Sequence, residues 1–442
     1  MKRNLNIAIL LLCALSAFLP FFARFSSESL LGIRGAIRFG LIGLLMVLIP
    51  IRVRMQRESI LVTPAMAIFT ALYLTLFFAF VGEVLLDWTH YGYLSTYFVH
   101  FKLMSIPYMM FAFFAYVEYD DVEWFRKQAI FVTTCAVIAS IVSILEWIAG
   151  PQLLMGIGMN FDIGQYWFHM GSALDANGNP IFRPFGTTDN HYDMSALLSL
   201  AVIDTYILKN YFQLSWTRFT LLLVLFGLAL ISTINMTIWG LLLFATALIY
   251  GRELWTIFRR LKRWQSLLII GSICLVVAIG IGVVVVSPIG ERIVRNTDLN
   301  SGSSLHYRLI FIFNTVSAVV EKPYGWGWAY GDGGLALPFW GTSDTYYLWY
   351  TVWGGVPFGI LLMLVFFSPS LYGFWIYFHS RAWSSKDRSL YLTVAVWHFI
   401  GALCGISNGF IGMSGITSAF YWGFAGLLFR IPQLQRNAVK SA

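Results

Sequence analysis

Apolar residues run along this chain in long blocks separated by short polar gaps, and many blocks approach or exceed the roughly 18 residues that begin to span a bilayer. The blocks cover residues 1–22, 37–51, 60–81, 99–116, 129–148, 194–207, 219–232, 238–250, 266–286, 347–367, 390–405 and 412–429. They predict about twelve transmembrane helices. Charged residues are confined to the gaps, as expected where each one at mid-helix costs roughly 2.5–3.5 kcal/mol. The first block follows Lys2 and Arg3 and looks like a secretory signal. It continues to Phe22 without a small-residue cleavage site, so it reads as an uncleaved first helix.

Lys and Arg gather on one side of the predicted bundle, among them Arg52, Arg54, Arg126, Lys127, Arg218, Arg260, Lys386 and Arg388. By the positive-inside rule that side is cytoplasmic and holds both termini. The opposite side receives two loops far longer than the rest, 149–193 (the third outer loop) and 287–346 (the fifth). Loops beyond about 12–15 residues are usually functional or disordered. These two are too rich in Trp, Tyr, Phe and Gly for disorder. Within the first, Asn177-Gly178 and Pro180 form a turn sequence followed by Ile181 and Phe182, which predicts a short strand and a small hairpin. The expected fold is one all-α polytopic membrane domain over residues 1–442, with these loops as structured periplasmic surfaces.

Composition sharpens this picture. Of 442 residues, 58% are hydrophobic and 11% charged, which no soluble core explains. The net charge of +8 is scattered through short loops rather than clustered on one soluble face, so nucleic acid is not the expected partner. Cys13, Cys135, Cys274 and Cys404 fall inside or beside apolar blocks without CxxC spacing, and neither a disulfide nor zinc is expected.

Three outer stretches hold the polar groups able to do chemistry. The first, 182–193, carries Arg183, Pro184, Gly186, Asp189, Asn190, His191 and Asp193 into a helix. The second has His306 and Arg308 at the start of a predicted loop helix, which closes on Pro323, Gly325, Trp326, Gly327 and Trp328. The third, 341–347, brings Ser343, Asp344, Tyr346 and Tyr347 to the next helix, with Gly354-Gly355 inside it. Each also admits a plainer reading. Asp or Asn can cap the first helix while Arg183 reaches to headgroups, and Ser343 or Asp344 can cap the last. The aromatic residues suit a membrane-interface belt as well as a sugar-stacking platform.

In order and placement these stretches resemble the O-antigen ligase and O-antigen polymerase superfamily of bacterial envelope polysaccharide enzymes. The resemblance rests on Arg183, Gly186 and Asn190, on the helix from Arg308 to Pro323 with Gly325 and Gly327, and on Ser343, Asp344 and Gly354. Ser343 stands where the ligase pattern has His, and Ser232-Thr233-Ile234-Asn235 replaces a Ser-Arg pair; the missing His favours the polymerase branch.

The resemblance implies glycan transfer from a polyprenyl-pyrophosphate carrier to a sugar hydroxyl at the periplasmic face of a bacterial inner membrane. No cofactor or metal is expected. Arg183 and Arg308 are the expected pyrophosphate clamp, because the guanidinium fork binds phosphate oxygens bidentately. A general base is needed for the acceptor hydroxyl, with Asp344 the first candidate and His306 and His191 its rivals. Asn190, Tyr346, Trp326 and Trp328 are candidate substrate contacts. The lipid-linked glycan and membrane lipid are the expected partners, with a chain-length regulator and a flippase as candidates.

Two other functions compete. A ligase or protein oligosaccharyltransferase would perform the same chemistry on lipid A core or protein. A transporter or flippase would show broken helices and buried ionisable groups at mid-membrane. The groups nearest the interior are Arg38, Lys102, Glu146, Asp204 and His398, and the sequence suggests no pair of interrupted helices.

Overall fold

The computed structural model describes residues 63–91, 116, 122–159, 182–188, 191–233, 235–260, 304–327, 346–380, 383–407 and 415–441, with scattered positions between 18 and 54. These residues form helices and connections, with no strand among them. In chain order the helices are α1 (Pro64–Tyr91), α2 (Val122–Gly156), α3 (His191–Asn210), α4 (Trp216–Thr233), α5 (Met236–Arg260), α6 (Ser304–Glu321), α7 (Tyr346–His379), α8 (Ser385–Ser407) and α9 (Gly415–Ser441). Five of them (α1, α2, α4, α7 and α8) contain stretches long and apolar enough to cross a membrane.

Eight of the blocks read from the sequence fall on α1 to α5 and α7 to α9, while those at 1–22, 99–116 and 266–286 lie largely or wholly outside the described residues and that at 37–51 lies partly outside them. Most of the helices outrun their blocks because polar turns at their ends are helical too. Thr63 Oγ1 accepts the Met66 amide at 3.2 Å with Pro64 in the first turn. Ser384 Oγ accepts the Asp387 amide at 3.1 Å and donates to its carboxylate at 2.6 Å, closing the start of α8. The loop helix α6 begins at Ser304 rather than at Arg308, since neither Gly nor Pro separates the two. The turn at 175–180 lies outside the described residues, and Phe182 is irregular rather than strand.

Burial orders the bundle. Every residue of α3 from Met194 to Leu208 is buried, although Asp204, Thr205 and several serines keep it from being one of the most apolar helices. The spanning stretch of α8 is 72% buried, against 28% for α1 and α4, so α3 and α8 are central and α1 and α4 present side chains outward. Tyrosine hydroxyls tie α7, α8 and α9 into a closed ring. Tyr347 of α7 donates to the Ala402 carbonyl of α8 at 2.8 Å, Tyr391 of α8 to Leu428 of α9 at 2.6 Å, and Tyr421 of α9 to Phe366 of α7 at 3.2 Å. Such bonds replace the hydrophobic driving force that lipid does not supply between helices.

Two helices are broken, contrary to what the sequence suggested. Gly150 (φ 70°) precedes Pro151 in α2, and Gly355 (φ 80°) precedes Val356-Pro357 in α7. Roughly 40 Å of helix precede the break in α2 and roughly 35 Å follow the one in α7. Each break therefore adjoins a segment long enough by itself to span a bilayer.

Candidate functional site

One end of α2, α3 and α4 carries a layer of polar contacts. Ser143 of α2 and Ser232 of α4 share a hydrogen bond of 3.1 Å, and Ser195 of α3 donates to Thr233 of α4 at 3.0 Å. The Ser232-Thr233 pair noted in the sequence thus cross-links helices, and Asn235 Oδ1 accepts the Ile238 amide at 3.4 Å at the start of α5. Above this layer lies the 182–188 segment, which leads to α3.

Glu146 fixes that segment. Its Oε2 accepts the amides of Phe185 at 3.1 Å and Gly186 at 2.8 Å, and the side chain is buried. Gly186 adopts φ 55°, and a Cβ there would stand 2.6 Å from the Ala139 carbonyl oxygen, so only glycine lets the segment lie against α2. Phe185 packs with Leu154 and Met159, while Thr188 Oγ1 donates back to the Phe185 carbonyl at 2.8 Å. A buried carboxylate holding two amides is costly to remove, and nothing in the sequence spacing linked residue 146 to residue 186.

The segment in turn holds Arg183, which is 8% exposed and lies 2.8 Å through Nη1 from Nε2 of the buried His191 at the start of α3. A guanidinium has donors only. His191 Nε2 must therefore accept, which puts the ring proton on Nδ1 and leaves the imidazole neutral. The His191 ring lies against Tyr192, with centroids 4.0 Å apart. The result is a cation fixed in direction beside a helix start, a setting suited to anions.

A second assembly joins the other two stretches. The break in α7 leaves backbone groups without helical partners, and the 323–327 segment takes them. Trp326 N donates to the Val352 carbonyl at 2.8 Å, Gly327 N to Trp353 at 3.1 Å, and Val356 N to the Pro323 carbonyl at 2.8 Å. Pro357 lacks the N–H that would otherwise reach Trp353. Gly325 and Gly355 sit backbone to backbone, and a Cβ on Gly325 would collide with the Trp353 carbonyl. The Pro-x-Gly-x-Gly motif and the Gly-Gly pair of the next helix are two halves of one joint.

The other predicted residues distribute unevenly. Arg308 and His306 lie on the first turns of α6, and their side chains are outside the description. Asn190, Trp328 and Asp344 are outside the described residues. Trp326 donates through Nε1 to the Ala318 carbonyl at 2.9 Å, with Lys322 Nζ 3.9 Å from its ring centroid, so it staples the end of α6. Tyr346 is 2% exposed among Tyr347, Tyr350 and Phe366, which makes it part of the packed interior rather than an open platform for a sugar. Leu309, Phe313, Val316 and Val320 form an exposed apolar stripe along α6, as on a helix lying against lipid. No protein-family model and no curated protein matches this chain.

Proposed function

We propose that this protein polymerises polyprenyl-pyrophosphate-linked oligosaccharide repeats at the periplasmic face of a bacterial inner membrane, through about twelve transmembrane helices with both termini cytoplasmic. The observation that carries the reading is Arg183, a buried guanidinium aimed by His191 and by a segment that Glu146 and Gly186 lock to α2. As the anomeric carbon–oxygen bond to the carrier breaks, its electron pair passes to pyrophosphate. A fixed cation stabilises that charge more than it stabilises the ground state. Arg308, on the first turns of α6, is the second member of the clamp.

The acceptor hydroxyl attacks the opposite face and gives up its proton, with inversion. His191 is poorly suited to take it, because its Nε2 lone pair is engaged by Arg183. His191 is then a positioning residue, and Asp344 is the base we assign.

The broken helices and the buried Asp204 and His398 are what a transporter reading draws on. Neither break lies at the middle of its helix, however; the one in α2 lies beside Phe185 of the 182–188 segment, and the one in α7 is closed by 323–327. A ligase uses the same clamp on a different acceptor, and the absence of a ligase-type His at Ser343 favours polymerisation.

The test is polymer length on a gel from a deletion strain complemented with wild type, Arg183→Ala, Arg183→Lys, Arg308→Ala, Arg308→Lys or Asp344→Asn, with membrane levels checked. Single repeats accumulating on the periplasmic side support the polymerase. Repeats retained on the cytoplasmic side indicate a flippase, and undiminished polymer in every variant overturns the site.

A further inference from the structure

At the other end of α2, roughly 30 Å along the helix from Glu146, a cavity of about 610 Å³ opens between the first turns of α2 and α4 and the end of α3. Arg126 and Arg218 line it from opposite helices, and no acidic side chain is among its lining residues. Arg126 stands over the Phe212 ring at 5.8 Å from the centroid. The nearby Lys209 is committed elsewhere: Nζ donates to the Leu214 carbonyl at 3.1 Å and lies 3.9 Å from the Trp216 ring centroid, fixing the connecting loop.

Thr133 supplies an independent sign of a ligand. It lines the cavity, is 6% exposed, and its Oγ1 has no hydrogen-bond partner. A helical threonine normally satisfies its hydroxyl on the carbonyl one turn back, as its neighbour Thr134 does to Ile130 at 2.8 Å. A buried hydroxyl that does neither costs free energy unless something else bonds to it.

Exposed apolar side chains continue from the cavity. On α2 the exposed residues Ile130, Ile138, Ile141 and Leu145 continue from its rim along one face. On α4 the exposed Leu221, Val224 and Leu228 do the same. Two cations and a hydroxyl therefore sit at one end of two apolar stripes. A soluble anion would leave those stripes unused.

We propose that the cavity binds one anionic phospholipid. Its phosphate lies between Arg126 and Arg218 with Thr133 donating to it, and its acyl chains follow the stripes of α2 and α4. The guanidinium pair suits the phosphate, and the lack of lining carboxylates leaves no site for the ammonium of a zwitterionic headgroup.

The full-length protein in neutral detergent tests this by native mass spectrometry with phosphatidylglycerol, phosphatidylcholine or inorganic phosphate as probe, with thermal unfolding run alongside. Wild type is expected to retain one phosphatidylglycerol in preference to phosphatidylcholine. Retention should fall about tenfold or more in Arg126→Gln and in Arg218→Gln, and less in the near-isosteric Thr133→Val. Lys127→Gln, an exposed cation on the same turn that does not line the cavity, should leave it unchanged. Equal losses in Lys127→Gln would reduce the effect to diffuse charge and overturn the site. So would retention indifferent to all three lining variants, or displacement of the lipid by dilute inorganic phosphate, which would mark a soluble anion as the ligand.

Discussion

Arg183 and His191 stand eight residues apart in sequence and 2.8 Å apart in space, with the guanidinium donating and the imidazole accepting. The pairing is possible because 182–188 is an irregular segment that folds back over the start of α3 instead of extending that helix. Each partner defines the other: the imidazole orients the cation, and the cation keeps the imidazole neutral with its proton on Nδ1. Two residues that looked like independent candidates, one for the clamp and one for the base, form a single unit.

That unit should show itself as non-additivity. Arg183→Ala and His191→Ala are each expected to cost about 1.5–3 kcal/mol of unfolding free energy in mixed micelles, the range for a hydrogen bond to a charged group. The double variant should cost less than the sum by about 1 kcal/mol or more, since the second change removes a contact already lost. Additive losses would show that the two side chains do not interact in the folded protein.

Glu146 makes a separable prediction. Glu146→Ala strips the acceptor from the Phe185 and Gly186 amides, so hydrogen exchange in 182–188 should accelerate while the centre of α3 stays protected. Glu146→Gln keeps an acceptor oxygen but not the charge, and should fall between wild type and Ala. If the carboxylate were only a solvated side chain, neither variant would alter exchange at those two amides.

Sequence reading recovered what hydropathy encodes. Helices α1, α2, α4, α7 and α8 announce themselves as apolar blocks, because insertion into lipid forbids polar interruption. The motif segments were legible too, as Gly, Pro and Arg in unusual company. What they touch was not. The bond from Glu146 to Gly186 spans 40 residues, and the joint between 323–327 and the α7 break depends on backbone carbonyls, which carry no residue identity. Glu146 looked like one more ionisable group near the interior. The break in α7 was missed because Gly355 and Pro357 inside a long apolar block do not interrupt its hydropathy, and that in α2 because Gly150-Pro151 falls just past the end of its block, where the outer loop was expected to begin.

Glycine substitutions probe the same joints. Gly186→Ala, Gly325→Ala and Gly355→Ala each force an L residue into positive φ against a backbone atom of a neighbouring segment. Each should cost about 1–3 kcal/mol. Gly227→Ala in α4 meets nothing within 4 Å and should be neutral or slightly stabilising. Thermal unfolding in detergent ranks the four, and equal behaviour of Gly227 and Gly325 would contradict the close approach at the α7 break.

The opposite end of the bundle offers a pH test. Tyr211, just beyond α3, donates through its hydroxyl to Asp387 at the start of α8 at 3.2 Å. Burial, and then the neighbouring carboxylate, push the phenol up to about 12. A phenol ordinarily ionises near about 10, so the folded state favours the protonated form. The stabilisation is complete below roughly pH 10 and is lost as pH rises through the folded value. Tyr211→Phe should therefore cost about 0.5–1.5 kcal/mol, and the same amount at about pH 7 as at about pH 9. Asp387→Asn keeps an acceptor for the hydroxyl but removes the charge, so its Tyr211 should ionise at lower pH than in the wild type. A Tyr211→Phe penalty that shrinks already between neutral pH and pH 9 would mean that the phenol ionises well below its assigned value, and that the contact between α3 and α8 is looser than the structure has it.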